Sequence, residues 1–137
     1  MKLLVILTVL LGTASVALAI PPGAKRGVFI KQAGAGELAA YVKVYPKSVF
    51  CIWDKGHVKV HFSLRNRAVE HVTMTIVPRY TIRGGGTHGT GIANYQNKGF
   101  DAGGFRAIWL DAGEPKGVPT KTPISGCFPT LVTIKSG

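Results

Sequence analysis

Two stretches of the chain alternate apolar and polar residues with a period of two. Val58, Val60, Phe62 and Leu64 alternate with Lys59, His61 and Ser63; Val72, Met74 and Ile76 alternate with His71, Thr73 and Thr75. Successive side chains of a strand point to opposite faces, so this period belongs to half-buried strands and not to a helix. Five residues, Asn66 to Glu70, separate Arg65 from His71. If the two strands form a hairpin, their apolar rows must share a face, with Phe62 opposite Met74 and Leu64 opposite Val72. The outer face then pairs His61 with Thr75, Ser63 with Thr73 and Arg65 with His71.

Six further segments read as strands: 27–31, 39–44, 49–53, 80–83, 105–110 and 131–135. Turn signals separate them at Tyr45-Pro46-Lys47, Asp54-Lys55-Gly56, Val77-Pro78-Arg79, Asp111-Ala112-Gly113 and Ile124-Ser125-Gly126. The stretch 113–129 holds four prolines and reads as an extended crossover. Gly36 to Ala40 allows one helical turn, and no stretch has the pattern of an amphipathic helix. The expectation is an all-β fold, a compact antiparallel β-sandwich of about seven or eight short strands.

The N-terminus reads as a secretory signal peptide over residues 1–19. Lys2 precedes an apolar run from Leu3 to Leu11, and Ala17-Leu18-Ala19 supplies the small residues of a cleavage site. Pro21-Pro22 ends the run, and no other apolar stretch is long enough to span a bilayer. Residues 20–26 read as a leader in which Lys25-Arg26 is either a dibasic processing site or an ordinary exposed basic pair, and residues 27–137 as a single β domain. A secreted, extracellular location follows. In that oxidising route Cys51 and Cys127, 76 positions apart, are expected to form one disulfide. Closing so long a loop stabilises a fold by about 4 kcal/mol in the chain-entropy model. Two free thiols or a metal pair are the alternatives, but no nearby His or Cys has ligand spacing. No metal and no cofactor is expected.

The chain carries 17 Lys/Arg against 6 Asp/Glu, a net charge of +11, and cleavage after Ala19 removes only Lys2. That exceeds the magnitude of roughly 2 to 8 that solubility asks for. It points to an anionic partner: a nucleic acid, an acidic polysaccharide, lipid headgroups or the acidic face of a host protein. The basic residues are scattered rather than blocked, as on a charged folded surface, and a monomer is expected.

Gly84-Gly85-Gly86-Thr87-His88-Gly89 fits G-x-G-x-x-G. A dinucleotide site needs a helix opening at the last glycine, and a phosphate loop needs Lys-Ser/Thr after it. The chain supplies neither, since Thr90-Gly91 and then Gly99 follow. With eight glycines in residues 84–104, the segment reads as a mobile loop. Its flanking Arg83, His88 and Lys98 are the candidate contacts to an anion or partner. The enzymatic alternative is metal-free RNA cleavage, which needs a general base, a general acid and a cation at the phosphorane. On the expected hairpin His61, Arg65, Glu70 and His71 lie close, with His57 on the face of His61. Tyr41, Tyr45 and Tyr95 are candidates for stacking on bases or sugars, whereas Trp53 and Trp109 read as core residues.

Four segments, Ala17-Leu18-Ala19, Lys25-Arg26, Val49-Phe50-Cys51-Ile52-Trp53 and Ser125-Gly126-Cys127-Phe128, give the chain a recognisable plan. It resembles small secreted effectors and host-selective toxins of plant-pathogenic fungi. The late second cysteine is more similar to ToxA-like proteins than to the smaller MAX effectors. The resemblance implies a β-sandwich with one disulfide and action by binding. It carries no functional residue over, and the chain has no Arg-Gly-Asp sequence. The function expected is that of a secreted basic binding protein, an effector or toxin engaging a host or microbial partner. The alternatives are an RNA-binding or ribonuclease-like effector and an antimicrobial or killer-type protein acting on anionic surfaces.

Overall fold

Both alternating stretches are strands, and each is the centre of its own sheet. The computed structural model describes residues 20–88 and 95–137, and for 95–99 the backbone alone. In chain order the strands are β1 (Lys25–Arg26), β2 (Ile30–Lys31), β3 (Val42–Val44), β4 (Phe50–Asp54), β5 (His57–Asn66), β6 (Val72–Ile82), β7 (Thr87–His88), β8 (Tyr95–Phe100), β9 (Phe105–Asp111) and β10 (Ile124–Ser136). Two short 3-10 turns, Glu37–Tyr41 and Pro46–Ser48, flank β3. One five-stranded sheet sets β4 and β3 along one edge of β5 and β9 along the other, with β1 outside β4. The other runs β2, β10, β6, with β7 and β8 on the far edge of β6.

The two sheets close on one core. Val58, Val60, Phe62 and Leu64 of β5 meet Val72, Met74, Ile76, Tyr80 and Ile82 of β6, and Ile108, Leu110, Leu131 and Ile134 join them. The fold is the expected all-β sandwich with a disulfide, Cys51–Cys127, whose Cα atoms are 5.7 Å apart. That bond ties β4 of the first sheet to β10 of the second.

The expected hairpin does not form. The connection 67–71 carries the chain from one sheet to the other, so the two apolar rows face each other across the core. Alternation says which residues point inward; it is the same whether the rows lie side by side or face to face. Asn66 makes the crossing. It is 0% exposed, and its Nδ2 donates to the carbonyls of Glu70 (2.9 Å), Phe100 (2.9 Å) and Asp101 (3.2 Å). Its Oδ1 accepts from the Ala68 N–H at 2.9 Å.

Several other boundaries move for local reasons. Val77-Pro78-Arg79 is not a turn but part of β6, because Pro78 sits opposite Pro129 of β10. Both missing N–H donors thus fall at one rung of the ladder. The expected strand 27–31 is split: β1 pairs with β4, and β2 runs parallel to β10. Lys25 and Arg26, the dibasic pair, form β1 and lie opposite Cys51 and Phe50. The glycine-rich segment is not all loop either: β7 and β8 return beside β6, and residues 89–94 lie outside the described residues. Among the described residues no helix is long and apolar enough to cross a membrane.

Asn66 gives the first prediction. Asn66→Ala strips three buried or half-buried carbonyls and one N–H of their partner, and is expected to cost about 3 kcal/mol in urea unfolding. Asn66→Asp keeps the shape but aims an acceptor at those carbonyls, so it is expected to cost at least as much. A loss under about 1 kcal/mol in both would contradict this account of the crossing.

Candidate functional site

The outward face of the first sheet is built by the other half of the same alternation. On β5 it presents His57, Lys59, His61, Ser63 and Arg65. The register places Asp111, Trp109, Ala107 and Phe105 of β9 opposite Lys59, His61, Ser63 and Arg65. On the other edge lie Asp54, Ile52 and Phe50 of β4, opposite His57, Lys59 and His61, and then Lys43 of β3, opposite Arg65. The face is thus a strip of rings and cations on four strands, β3, β4 and β9 each paired with β5.

At its centre the His61 ring stacks on Phe50 (centroids 4.8 Å, planes 20° apart) and meets Trp109 at 4.8 Å. Trp109 also meets Phe50 edge-on at 5.4 Å. The interruption between β3 and β4 fixes the imidazole. Ser48, in the 3-10 turn Pro46–Ser48, takes the Ser63 N–H on its hydroxyl at 2.8 Å. Its carbonyl accepts from His61 Nδ1 at 2.6 Å. A carbonyl only accepts, so Nδ1 carries the proton and Nε2 of the neutral ring is an acceptor. Trp109 walls a depression of about 420 Å³ shared with Ile52, Trp53, Asp54 and Lys59.

One end of the strip gathers cations around Tyr45. Arg65 Nε donates to the Tyr45 hydroxyl at 3.1 Å, and its Nη1 donates to the Gly103 carbonyl at 2.8 Å. Its guanidinium lies 5.5 Å from the Phe105 ring centroid, and Lys43 Nζ lies 5.2 Å from that of Tyr45. The Arg65 hydrogen bond lowers the Tyr45 pKa; partial desolvation opposes this, and the charges of Arg65, Lys43 and Arg67 lower it further. Among the described residues no carboxylate pairs with Lys43, Arg65 or Arg67.

The opposite end is neutralised. Asp111 accepts from Lys59 Nζ at 3.1 Å, from the Gly113 N–H at 2.8 Å, and sits 3.1 Å from His57 Nδ1. Burial raises the Asp111 pKa, but these hydrogen bonds and the Lys59 charge outweigh it and hold the carboxyl at about 2.

The residues singled out in the sequence scatter. His61 and Arg65 stand on this face as expected. Glu70 and His71 do not join them, because the hairpin that would have brought them there is a crossing between sheets. His71 Nδ1 is 3.0 Å from Asp101 Oδ1 instead, and Glu70 is exposed. Arg83 is exposed at the turn from β6 to β7. His88 is directed inward: its ring stacks on buried Tyr80 at 5.4 Å, with Nε2 buried and without a partner among the described residues. Lys98 lies on β8, and its side chain is outside the described residues. Trp53 packs against the core, as expected, and donates to the Thr122 carbonyl at 2.7 Å. Trp109 does not: it is 55% exposed, and Phe105 is 50% exposed. Phe105, Phe50, Lys43 and Arg67 were not anticipated. Both faces of β9 carry apolar residues, so its parity gave no sign of which would be outside.

Among the described residues no group of three His, Cys, Asp or Glu is placed to hold a metal ion. Comparison with family models, curated proteins and solved structures found no match to this chain.

Asp111 carries a pH prediction. Its folded pKa is depressed, so its contribution is complete above the ordinary carboxylate value of about 4 and is lost as pH falls towards about 2. Because the group is 45% exposed, the contribution is screened to about 1 kcal/mol or less. Urea midpoints measured down to pH about 2 are expected to fall less steeply for Asp111→Asn than for the wild type. Parallel curves would contradict the assignment.

Proposed function

We propose that this chain is a secreted, basic binding protein that engages an anionic partner through the outer face of the β4–β5–β9 sheet. In this reading it acts as an effector or toxin, by binding rather than by catalysis. The observation that carries the reading is the group of cations about Tyr45, with Arg65 on its hydroxyl, Lys43 over its ring and the charge of Arg67 acting on it, and with no carboxylate partner among the described residues. Where charges are held without counter-ions, an anion gains Coulomb energy and displaces only solvent and salt ions. Secretion is supported by the sequence of residues 1–19 and by the disulfide. The binding reading is favoured over RNA cleavage because His61 and Arg65 are not joined by Glu70 and His71.

The test separates a site from overall charge. Lys43→Ala with Arg67→Ala removes two charges from the face; Lys116→Ala with Lys121→Ala removes two from the exposed segment before β10. On a heparin column, the face variant is expected to elute at distinctly lower salt than the control variant. Equal shifts would mean that net charge alone binds, and would contradict the proposed face.

A further inference from the structure

The strip combines two chemistries that few anionic polymers satisfy together. Phe105 and Trp109 lie on one strand, four residues apart, which places them about 13–14 Å from each other. Each is half exposed. Ala107, between them on the same face, is too small to fill the gap. Both rings are held before any ligand arrives. Trp109 is braced by Phe50 and His61, and Phe105 meets Tyr45 edge-on at 5.4 Å. Arg65 is fixed by Tyr45 and Gly103 beside Phe105. Side chains ordered in advance lose little entropy on binding.

We propose that this face binds single-stranded nucleic acid, with Trp109 and Phe105 stacking on bases and Lys43, Arg65 and Arg67 taking the phosphates. The inference rests on the reading of the same face as an anion-binding surface. A sulfated or carboxylated polysaccharide offers charge and a saturated ring face, which meets an aromatic side chain through C–H groups and not through a flat π face. A neutral sugar offers a ring face but no charge. A duplex offers phosphates but keeps its base faces stacked inside. A single strand offers both a flat π face and a phosphate at every nucleotide, which is what a sheet bearing alternating rings and cations recognises.

The experiment uses the full mature protein and fluorescein-labelled single strands of about 12 nucleotides, as RNA and as DNA. Anisotropy is followed across a salt series, with a duplex of equal length, dextran sulfate and polyglutamate as competitors. The single strand, in at least one of its two sugars, is expected to bind more tightly than every competitor. Trp109→Ala is expected to weaken it about 10-fold or more, Trp109→Phe to restore most of the loss, and neither to change the salt slope. Lys43→Ala with Arg67→Ala is expected to reduce the slope of log K against log salt by about 1.4, the value for two lost phosphate contacts on a single strand. If dextran sulfate, polyglutamate or the duplex competes equally well and Trp109→Ala binds as the wild type does, the face takes anions without reading bases. The inference is then overturned while the anion-binding reading stands. If neither the aromatic nor the charge variant alters binding, both fail.

Discussion

The Cys51–Cys127 bond joins the two sheets at a place where the chain itself also crosses between them. Lys25 lies opposite Cys51, the Gly27 N–H donates to Val49, and the Val28 N–H donates to the Cys127 carbonyl. The N-terminal segment thus leaves the first sheet and enters the second over the disulfide. The fit there is close: a Cβ on Gly27 would come within 2.6 Å of the Cys127 oxygen and 2.8 Å of its sulfur. No side chain can be added at Gly27 without moving backbone, so the first residue after the dibasic pair is part of the closure. With β4 pinned to β10 in this way, and the 67–71 crossing tied down by Asn66, β5 is held between β4 and β9. The ring and cation spacing on the outer face follows from that register.

The division of labour within β5 is simple. Its even-numbered residues, from Val58 to Leu64, are buried in the core. Its odd-numbered residues carry the candidate site. Site precision therefore comes from the same ladder that provides stability, and a binding surface on paired strands is less deformable than one on a loop. The charge distribution follows a second logic. Asp111 consumes Lys59 and His57 at one end of the strip, while Tyr45 and Gly103, both uncharged, hold Arg65 at the other. The cations without a carboxylate partner among the described residues thus lie at the Phe105 end of the strip, while Trp109 stands at its centre.

Much of this was legible in the sequence. The period of two fixed the inward residues of β5 and β6 correctly, and the spacing and redox context of the cysteines anticipated the disulfide. What was not legible was partnership. A connection of five residues is compatible with a hairpin or with a crossing between sheets, and only Asn66, with its hydrogen bonds to carbonyls near both residue 70 and residue 101, distinguishes them. Pro78 and Pro129 read as breakers because a lone proline costs a strand one donor. Set opposite each other, they spend that loss at one rung. An indole within a strand reads as core, but in Phe105–Asp111 apolar residues occupy both parities, so periodicity has no preference and Trp109 stands outside. The cation cluster was invisible for a different reason, since Lys43, Arg65 and Arg67 come together only through the β3–β5 pairing.

The central claim is that the outer face of the β4–β5–β9 sheet, and not the glycine-rich turn with Arg83, is where the partner binds. Amide chemical-shift perturbation during titration with an unlabelled single-stranded oligonucleotide tests it most directly. The account predicts that the largest shifts fall on Lys43, Tyr45, Arg65, Phe105 and Trp109, with the indole N–H of Trp109 moving and that of Trp53 unmoved. Shifts concentrated on β6, β10 or the turn from Arg83 to His88, with the β9 amides unchanged, would contradict it.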